Sequence, residues 1–366
     1  MKKVSVYLKS GKRNAASFYR FFQYFDNIEG VCVHYHKRLP DDLYRKVMPI
    51  SGHSIPFKIT LALYMYIRVL ASLINDILWA PDFVVISKTL TTKCISPLCK
   101  LLLYYLKRRG VRIILDFDDQ ILSTGEISRK DFDFLSKLSY RIFSASPILT
   151  GLVCEKWKNK VVLVPTTDSQ TYLAYKDDIK ENRLKHYDSV ISVVWVASSS
   201  SIIYLQNIMT AFEDAGEKIS RLKKKLQLTV VCDKELVYTS RNFDINNIVW
   251  ERDIALKCML EAHIGIMPLE NTESTRGKGG FKLIQYIGCA LPVIGSDVGI
   301  NKNIVNLGNG VLVHDLDNKE WTDAIIKLST NKSIWEECSS GALKSYEEYY
   351  SYKNNEKIWK DILFEE

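Results

Sequence analysis

The sequence predicts an α/β protein of two domains, each built on a parallel sheet. The chain has 366 residues, which is above the size at which a single hydrophobic core stops growing. Short continuous apolar runs recur between helix-length segments, a pattern typical of parallel strands that helices cover on both faces. The runs form two series on either side of a polar segment, so we expect the same architecture twice.

The strands are predicted from these runs in chain order. In the first series they are residues 3–8, 82–87, 111–117 and 160–165, and in the second 189–197, 226–232, 248–250, 263–269 and 291–296. Residues 165–189 are polar and charged with little apolar periodicity, which is typical of a domain boundary. We place the boundary near residue 186, with an N-terminal domain of residues 1–185 and a C-terminal domain of residues 186–366.

Cysteine usage and the first residues bear on the compartment. The eight cysteines are scattered through apolar segments and show no zinc-ligand spacing. We therefore expect buried, reduced thiols, as in cytosolic proteins. The first residues, MKKVSVYLKSGK, lack an apolar region followed by a small-residue cleavage site, so they are predicted to form the first strand rather than a secretion signal.

Positive charge is concentrated in the N-terminal third. Residues 1–110 contain 18 Lys and Arg against 6 Asp and Glu, whereas the whole chain carries a net charge of +8. This distribution favours an anionic partner, either a phosphate-bearing substrate or an anionic membrane surface. No nucleic-acid recognition motif accompanies the charge, so nucleic acid is not expected as a partner.

Residues 56–79 form a long apolar helical segment that permits three interpretations. Its length suffices to span a bilayer, but Arg68 lies near its middle and Asn75 and Asp76 near its end, which makes a spanning helix improbable. A helix of the protein core is the favoured interpretation. A helix lying in a membrane interface is the alternative that the basic surroundings support.

The stretch RGKGGFKLIQYIGCALPVIGS, which begins at Arg276, is the strongest candidate for a binding site. Gly279 and Gly280 precede an apolar-periodic helix, so backbone amides can approach an anion at the positive end of the helix. Lys278 and Lys282, with Arg276, place formal charges at the same end. The pattern suits a diphosphate, although spacing alone equally allows a simple turn before a helix.

Two further loops follow strands of the second series. The strand of residues 263–269 ends in Met267, Pro268 and Leu269, and the strand of residues 189–197 leads into the serines Ser198 to Ser201. In open α/β sheets ligands bind outside the carboxyl ends of strands, so these loops are expected to line one crevice. Ser198 and Ser199 could contact phosphate oxygens, or the serines could simply cap a helix.

The first domain offers acidic and basic groups at strand ends. Asp116, Asp118 and Asp119 follow an apolar strand and could act as a base, hold substrate hydroxyls or cap a helix. A metal is not expected there because the sequence shows no third ligand. The first turn contains Arg13, Ser17 and Arg20, and it lacks G-x-G-x-x-G. Because the turn is basic enough for an acidic or phosphorylated acceptor, these three residues and Asp116 are the candidate acceptor-binding residues.

These motifs together resemble nucleotide-sugar-dependent glycosyltransferases of the GT-B fold, specifically the glycosyltransferase family 4-like group. Residues 263–305 are similar to that group's donor-binding signature, residues 193–205 to the loop that opens its C-terminal domain, and ILDFDD to its acidic strand end. The similarity is specific across about residues 187–350 and weaker before residue 80. It implies two Rossmann-like domains facing a cleft, and it leaves open that the final helix packs back on the N-terminal domain.

The resemblance also implies roles for the residues. Lys278 and Lys282 would neutralise the donor diphosphate and act in catalysis with Asp118 or Asp119, which would orient the acceptor hydroxyl. Met267, Pro268 and Leu269 would lie near the base. Such enzymes generally retain anomeric configuration and need no metal or other cofactor.

The sequence departs from the group's pattern at one place. Many members carry two glutamates in an E-x7-E arrangement, and the aligned positions here are Gly277 and Gln285. Gln285 can still hydrogen-bond the donor ribose through its amide.

The expected function is the transfer of a sugar to a glycan or polyprenyl-linked acceptor in cell-surface polysaccharide biosynthesis. We expect the protein in the cytoplasm, with peripheral contact to the inner face of the plasma membrane as an option. A non-catalytic nucleotide-sugar-binding protein and a sugar-nucleotide epimerase of the same fold are the alternatives.

Overall fold

A computed structural model of the chain describes residues 1–47, 52–305, 307–314 and 316–365. The chain forms two compact units. Unit 1 comprises Met1–Thr166 and the segment from Asn355 onward, and unit 2 comprises Thr167–Asn354. Each unit contains a six-stranded sheet in which all strands are parallel, as the alternation of apolar runs and helical segments predicts.

Unit 1 is built on strands β1 to β6, in the spatial order β2-β1-β3-β4-β5-β6. The strands are β1 (Lys2–Leu8), β2 (Val31–Lys37), β3 (Phe83–Ser87), β4 (Arg112–Phe117), β5 (Arg141–Ser144) and β6 (Val161–Leu163). The helices are α1 (Ala15–Ser17), α2 (Gln23–Phe25), α3 (Asp41–Val47), α4 (Ile55–Trp79), α5 (Pro97–Arg108), α6 (Arg129–Leu138) and α7 (Pro147–Thr150). A π-helical turn, Phe18–Phe22, joins α1 to α2, and a 3-10 turn, Glu155–Lys160, precedes β6.

Unit 2 has the same architecture, with strands in the order β12-β11-β10-β7-β8-β9. The strands are β7 (Val190–Val196), β8 (Lys225–Cys232), β9 (Asp244–Val249), β10 (Ile264–Met267), β11 (Val293–Ser296) and β12 (Gly310–Val313). The helices are α8 (Ser169–Ala174), α9 (Asp177–His186), α10 (Ile202–Gln206), α11 (Met209–Ser220), α12 (Arg252–Glu261), α13 (Glu273–Arg276), α14 (Phe281–Gly288), α15 (Asn301–Val305), α16 (Asn318–Thr330) and α17 (Lys332–Ser345). A 3-10 turn, Ser199–Ser201, precedes α10, and a π-helical turn, Tyr346–Tyr350, follows α17.

The last helix, α18 (Tyr352–Phe364), completes the core of unit 1. Trp359 is fully buried, with its ring centroid 4.7 Å from that of Phe25 and 4.6 Å from that of Phe143. Asn355 donates a hydrogen bond of 2.6 Å to the carbonyl of Pro165. The final helix therefore belongs to the N-terminal unit although unit 2 precedes it in sequence.

The boundary between the units lies at Thr166 and Thr167 rather than near residue 186. The polar segment that follows is not a linker, because it packs on unit 2 through buried polar contacts. Arg183 is 2% exposed and donates to the carbonyls of Met259, Leu260, Cys289 and Ala290. Carbonyl groups of the backbone satisfy this buried guanidinium. The segment therefore packs on unit 2 without the apolar periodicity by which a packed segment is recognised in the sequence.

Helix α4 is not a core helix, and the favoured interpretation of its sequence is wrong. Its buried residues are Leu61, Val69, Leu73 and Asp76. Ile59, Leu63 and Ile67 are each more than half exposed. The helix is long and apolar enough to cross a membrane, yet only 22% of its most apolar window is buried within the protein. An apolar face of α4 is thus exposed to solvent.

Asp76 attaches the C-terminal half of α4 to the sheet of unit 1. Its carboxylate is fully buried and accepts hydrogen bonds of 2.6 Å from both the Ser5 and the Tyr7 hydroxyls. His36 Nε2 lies 3.0 Å from the same carboxylate, and the His34 ring stacks on Trp79. The two histidines of β2 therefore have the structural placement that their alternation on a strand favours.

The eight cysteines are all free thiols, but the expectation that they are buried holds only in part. Cys99, Cys232 and Cys289 are buried, whereas Cys94 and Cys154 are exposed. Burial raises the pKa of the Cys289 thiol to about 12, which keeps it protonated and unreactive.

Candidate functional site

The topology of unit 2 brings two loops together at one point of the sheet. The strand order reverses between β7 and β10, which are adjacent. In open parallel sheets the connections on the two sides of such a reversal diverge and leave a crevice at the carboxyl ends of the strands. The loops after Val196 and Met267 lie at the position where this rule places the crevice.

The two loops are in contact through Lys278. Its Nζ donates to the Ser201 Oγ at 3.5 Å, so the lysine that precedes α14 reaches the serine turn that follows β7. The two motifs that the sequence analysis assigns to one crevice are therefore in contact with each other.

Gly280 shapes the start of α14. It is the N-cap residue and adopts the left-handed conformation with φ = 68°. A Cβ atom at this position would lie 2.3 Å from Ile304 Cδ1. The absence of a side chain therefore permits the turn, and it leaves no side chain between the first amides of α14 and an approaching anion.

The remaining residues of the glycine and lysine stretch lie at the same end of α14. Gly279, Lys278 and Lys282 are half-buried, with Lys282 in the first turn of the helix. Arg276 is exposed and donates through Nε to the Asn271 amide oxygen at 2.6 Å. Lysine charge and helix amides thus converge where the sequence predicts a diphosphate site.

Asp233 holds the serine turn in place and was missed by the sequence analysis. Its carboxylate accepts hydrogen bonds from the Ser199 amide at 2.6 Å and from the Ser199 hydroxyl at 2.8 Å. Partial burial raises the pKa of Asp233, but the Ser199 hydrogen bonds outweigh it and the pKa is lowered. Asp233 follows β8, so the strand-end rule that selected the other loops would also have selected it.

Ser198 remains exposed beside this turn, and its hydroxyl lies 2.9 Å from that of Ser200. The Ser199 hydroxyl is occupied by Asp233, which makes its role structural within the turn. Ser198 is therefore the better placed of the two predicted serines for contact with a ligand.

Met267, Pro268 and Leu269 are buried at the end of β10. Met267 is 6% and Leu269 3% exposed, and both belong to the apolar core between the sheet and α14. The Leu269 amide donates to Ser296 Oγ at 2.9 Å, which ties the loop to the end of β11. These residues form a rigid apolar floor at the crevice.

Gln285 is buried on α14 and pairs with a residue that sequence analysis did not select. It is 6% exposed, and its Nε2 donates to Asp168 Oδ2 at 2.8 Å. Asp168 also caps α8 by accepting from the Gln170 amide. The role of Gln285 toward a ribose stays a prediction.

In unit 1 three of the predicted acceptor-binding residues are buried and paired within the fold. Arg20 and Asp116 are almost completely buried and form an ion pair with each other, with Arg20 Nε 3.2 Å from Asp116 Oδ2. Ser17 is 3% exposed and donates to the Ser10 carbonyl. All three satisfy each other or the backbone inside the fold, which favours a structural role, and their contact with an acceptor stays a prediction.

Arg13 is the exception among the predicted acceptor residues. Its side chain is 62% exposed, and its nearest carboxylate, Asp42, lies 4.0 Å away. It remains accessible to a ligand.

Asp118 and Asp119 lie at the end of β4 and share one cation, Lys88. The Lys88 Nζ is 2.8 Å from Asp118 Oδ1 and 2.5 Å from Asp119 Oδ2. Burial lowers the pKa of Lys88, but the carboxylates outweigh it and the pKa is raised well above the usual value. Lys88 directly follows β3, with φ = 63°, and sequence analysis did not select it. Within the described ranges no three His, Cys, Asp or Glu side chains come together as a metal site, and the absence of a metal requirement stays a prediction.

Comparison with known proteins finds a family model that matches part of unit 2. Residues 199–331 match the family model described as Glycosyl transferases group 1. A segment of 67 residues is 37% identical to sucrose-phosphate synthase 4 of Arabidopsis thaliana; this match covers 18% of the chain and only 6% of the plant protein.

Solved structures show the fold over the whole length. The Anabaena protein HepE in complex with UDP matches with a TM-score of 0.63 at 10% identity, over 99% of both chains. A glycosyltransferase from Rickettsia africae matches with a TM-score of 0.64 at 11% identity over 100% of both chains. UDP-GlcNAc 2-epimerase from Neisseria meningitidis, bound to UDP-GlcNAc, matches with a TM-score of 0.57 at 13% identity over 100% of both chains. The predicted two-domain GT-B architecture is confirmed.

Proposed function

We propose that this chain, which has the GT-B fold and a group 1 glycosyltransferase domain, transfers a sugar from a nucleotide-diphosphate sugar to a carbohydrate or lipid-linked acceptor. The observation that carries the proposal is the contact of Lys278 with the serine turn beside the start of α14. It unites lysine charge, helix amides and hydroxyls at the crevice of a family-matched domain. The bound UDP of HepE and the UDP-GlcNAc of the epimerase are consistent with a nucleotide-sugar ligand.

In this proposal unit 2 binds the donor and supplies the charge stabilisation. Lys278 and Lys282 neutralise the diphosphate, and the first amides of α14 hydrogen-bond its oxygens. As the bond to the sugar breaks, negative charge grows on the departing diphosphate. Cations that are already fixed at this position stabilise the transition state, in which this charge develops, more than they stabilise the ground state. They thereby lower the reaction barrier without a metal.

Unit 1 binds the acceptor. Asp118 and Asp119 are held in place by their ion pairs with Lys88. They are suited to accept a hydrogen bond from the attacking hydroxyl and orient it, rather than to remove its proton completely. We expect the configuration of the sugar to be retained, as in the group that the sequence resembles.

A thermal-shift screen against UDP, GDP, ADP and CMP tests donor binding. One nucleotide is expected to raise the melting temperature, because a ligand that binds only the native state stabilises it. The double variant Lys278→Ala with Lys282→Ala should lower the affinity for that nucleotide by about tenfold or more, since each lost charged hydrogen bond contributes roughly 1.5–3 kcal/mol to binding. Lys257→Ala is the matched control, because Lys257 is 75% exposed and lies on α12. Equal affinity in the double variant and the control would contradict the donor site.

Incubation with the matching nucleotide sugar separates the alternatives. A transferase releases the nucleoside diphosphate in amounts that depend on an added acceptor. The epimerase, which the structural likeness to the Neisseria enzyme favours as a second candidate, interconverts the donor sugar with no acceptor present, and proton NMR detects the epimer. A binding protein shows affinity without either reaction.

We further propose that the protein acts at the cytoplasmic face of a membrane in cell-surface polysaccharide synthesis. The exposed apolar residues of α4, among them Leu63 and Ile67, are accompanied by exposed Leu101 and Tyr104 on the adjacent α5. Arg108 and its neighbours Lys107 and Arg109 are exposed at the end of α5. Apolar area for the acyl boundary together with basic charge for anionic headgroups is the chemistry of an interfacial helix.

Co-sedimentation with vesicles of phosphatidylglycerol and phosphatidylcholine tests this surface. The wild type is expected to bind the anionic vesicles, and Leu63→Asp with Ile67→Asp should abolish binding. Leu222→Asp is the control, because Leu222 is 56% exposed on unit 2. Unchanged vesicle binding in the double variant would contradict the proposal, as would a wild type that stays in solution and forms a dimer that the double variant does not form.

A further inference from the structure

The sheet of unit 1 also has a point where its strand order reverses, between β1 and β3. Three cations follow directly on the strands around this point: Lys9 after β1, Arg38 after β2 and Lys88 after β3. By the rule that locates ligands at such reversals, this is the expected crevice of unit 1.

Arg38 is buried without a partner for its guanidinium. It is 8% exposed, and its side chain makes no hydrogen bond or ion pair with any residue that the structure describes, whereas its backbone amide donates to the Leu8 carbonyl at 2.9 Å. Burial lowers the pKa of Arg38, and Glu126 and Tyr44 offset this only in part. Its guanidinium nitrogens keep some contact with solvent, so this charged donor group, which no acceptor among the described residues satisfies, is available to a ligand.

The fold does satisfy its other deeply buried arginines. Arg20 pairs with the Asp116 carboxylate and donates to the Val164 carbonyl and the Thr166 hydroxyl. Arg183 donates to four backbone carbonyls. Arg38 therefore differs from Arg20 and Arg183 in that its guanidinium donors have no acceptor in the described part of the chain, and not in the extent of its burial.

Lys9 has a similar imbalance next to Arg38. Among the described residues its ion-pair partner is Glu126, 3.8 Å from Nζ, and its own side chain is 42% exposed. Burial lowers the pKa of Lys9, Glu126 counteracts this, and repulsion from Arg38 and Lys88 lowers the pKa further. Lys88 differs, because Asp118 and Asp119 both pair with it.

We propose that Arg38, together with Lys9, binds an oxyanion group of the acceptor, either a carboxylate or a phosphate. A guanidinium has five donors in a planar fork and no acceptor, so such a group satisfies it in two-pronged geometry. Lys9 and Lys88 directly follow the paired strands β1 and β3, so the bound anion lies at the strand ends where Lys88 holds the carboxylates that orient the attacking hydroxyl. The assignment of this ligand as the acceptor rests on the proposed transferase function.

The test uses the full chain carrying Lys278→Ala and Lys282→Ala, so that anions no longer bind at unit 2. Thermal shifts are measured with inorganic phosphate, glucuronate and glucose, at an ionic strength held constant with KCl. Phosphate or glucuronate is expected to raise the melting temperature while neutral glucose does not. A stronger response to phosphate indicates a phosphorylated acceptor, and a stronger response to glucuronate indicates an acidic sugar.

Arg38→Met in the same background should abolish the response to both anions. It should also raise the melting temperature without ligand by roughly 2 °C or more, because it replaces an unpaired buried charge by an apolar side chain of similar length. A purely structural arginine would give the opposite sign. Arg129→Met, at an exposed position on α6 of the same unit, is the control and should leave the anion response unchanged.

The proposal is overturned if neither anion stabilises the protein, or if Arg38→Met responds to the anions as its parent does. These results are independent of donor binding. A wild type that ignores every nucleotide contradicts the donor site of unit 2, while the anion response of unit 1 is read in a background that lacks the two lysines.

Discussion

Replacement of Asp116 by asparagine is expected to destabilise unit 1 strongly, because it removes the charge that faces Arg20. The side chains of both residues are 2% exposed. Asparagine nearly preserves the shape of the carboxylate but carries no charge, so the Arg20 guanidinium becomes an uncompensated buried cation. The group that then faces the guanidinium is either the amide nitrogen, which is itself a donor, or the neutral amide oxygen. Breaking a buried pair in this way costs about 3–5 kcal/mol.

The loss can be measured by calorimetry and urea unfolding. For a domain of this size, 1 kcal/mol shifts the melting temperature by about 2–4 °C, so the transition of unit 1 should fall by roughly 6–20 °C. At temperatures where unit 1 of the variant is still folded, the variant should bind nucleotide at unit 2 as the wild type does. The double variant Arg20→Met with Asp116→Leu should recover most of the stability, because an apolar pair of similar volume replaces the ion pair.

Asp118→Asn is the matched comparison on the same loop. Asp119 continues to pair with Lys88, and the Asp118 side chain is less deeply buried than Asp116, so the loss of stability should stay below about 1.5 kcal/mol.

If Asp116→Asn instead unfolds like the wild type and loses only sugar transfer, then Asp116 contacts the acceptor and our structural assignment is wrong.

Three further changes give measurable outcomes. Gly280→Ala forces a left-handed residue against Ile304 and should lower the stability of unit 2 by about 2–4 kcal/mol in urea unfolding; a loss below 1 kcal/mol would mean that the turn relaxes easily. Burial lowers the pKa of His263 to about 4, so between pH 6.5 and 4 the unfolded state binds the proton first and unit 2 should lose up to roughly 3 kcal/mol; His263→Gln should flatten this slope, and an equal slope in both proteins would refute the assignment. Asp233→Asn weakens the two hydrogen bonds that hold Ser199 and should raise the Kd for the nucleotide about fivefold by calorimetry, whereas an unchanged Kd would separate the serine turn from donor binding.

The architecture could be predicted because most of its strands have continuous apolar sequences. The runs at residues 3–8 and 189–197 correspond closely to β1 and β7. The predicted series omitted β5 (Arg141–Ser144), which contains only two apolar residues, and β12 (Gly310–Val313). It also omitted β2, an edge strand of half-buried residues in which histidines replace apolar side chains.

The candidate site was predictable where local sequence determines it. The glycine pair and lysines at the start of α14 are such a case, because the conformation and the charge are properties of consecutive residues. The partners of Arg20 and Gln285 were not predictable, since the residues they contact lie 96 and 117 positions away in sequence. Position at a strand end indicates that a charged residue is near the crevice, but only the tertiary structure tells whether another residue already neutralises it.

Helix α4 shows a different limit. Apolar periodicity reports that a surface avoids water, and the same pattern suits a protein core or the acyl boundary of a membrane. Only the packing of Leu63 and Ile67 away from the core separates the two.

The return of α18 to unit 1 determines the order in which the two units can mature during translation. Unit 2 is one continuous segment, so all of its contacts are available once Asn354 has left the ribosome. Unit 1 is encoded first, yet the socket formed by Phe21, Phe25 and Phe143 stays empty until Trp359 has been synthesised. The nascent N-terminal segment therefore carries an open apolar socket throughout synthesis of the rest of the chain, which makes it the part most dependent on chaperones and most exposed to premature proteolysis.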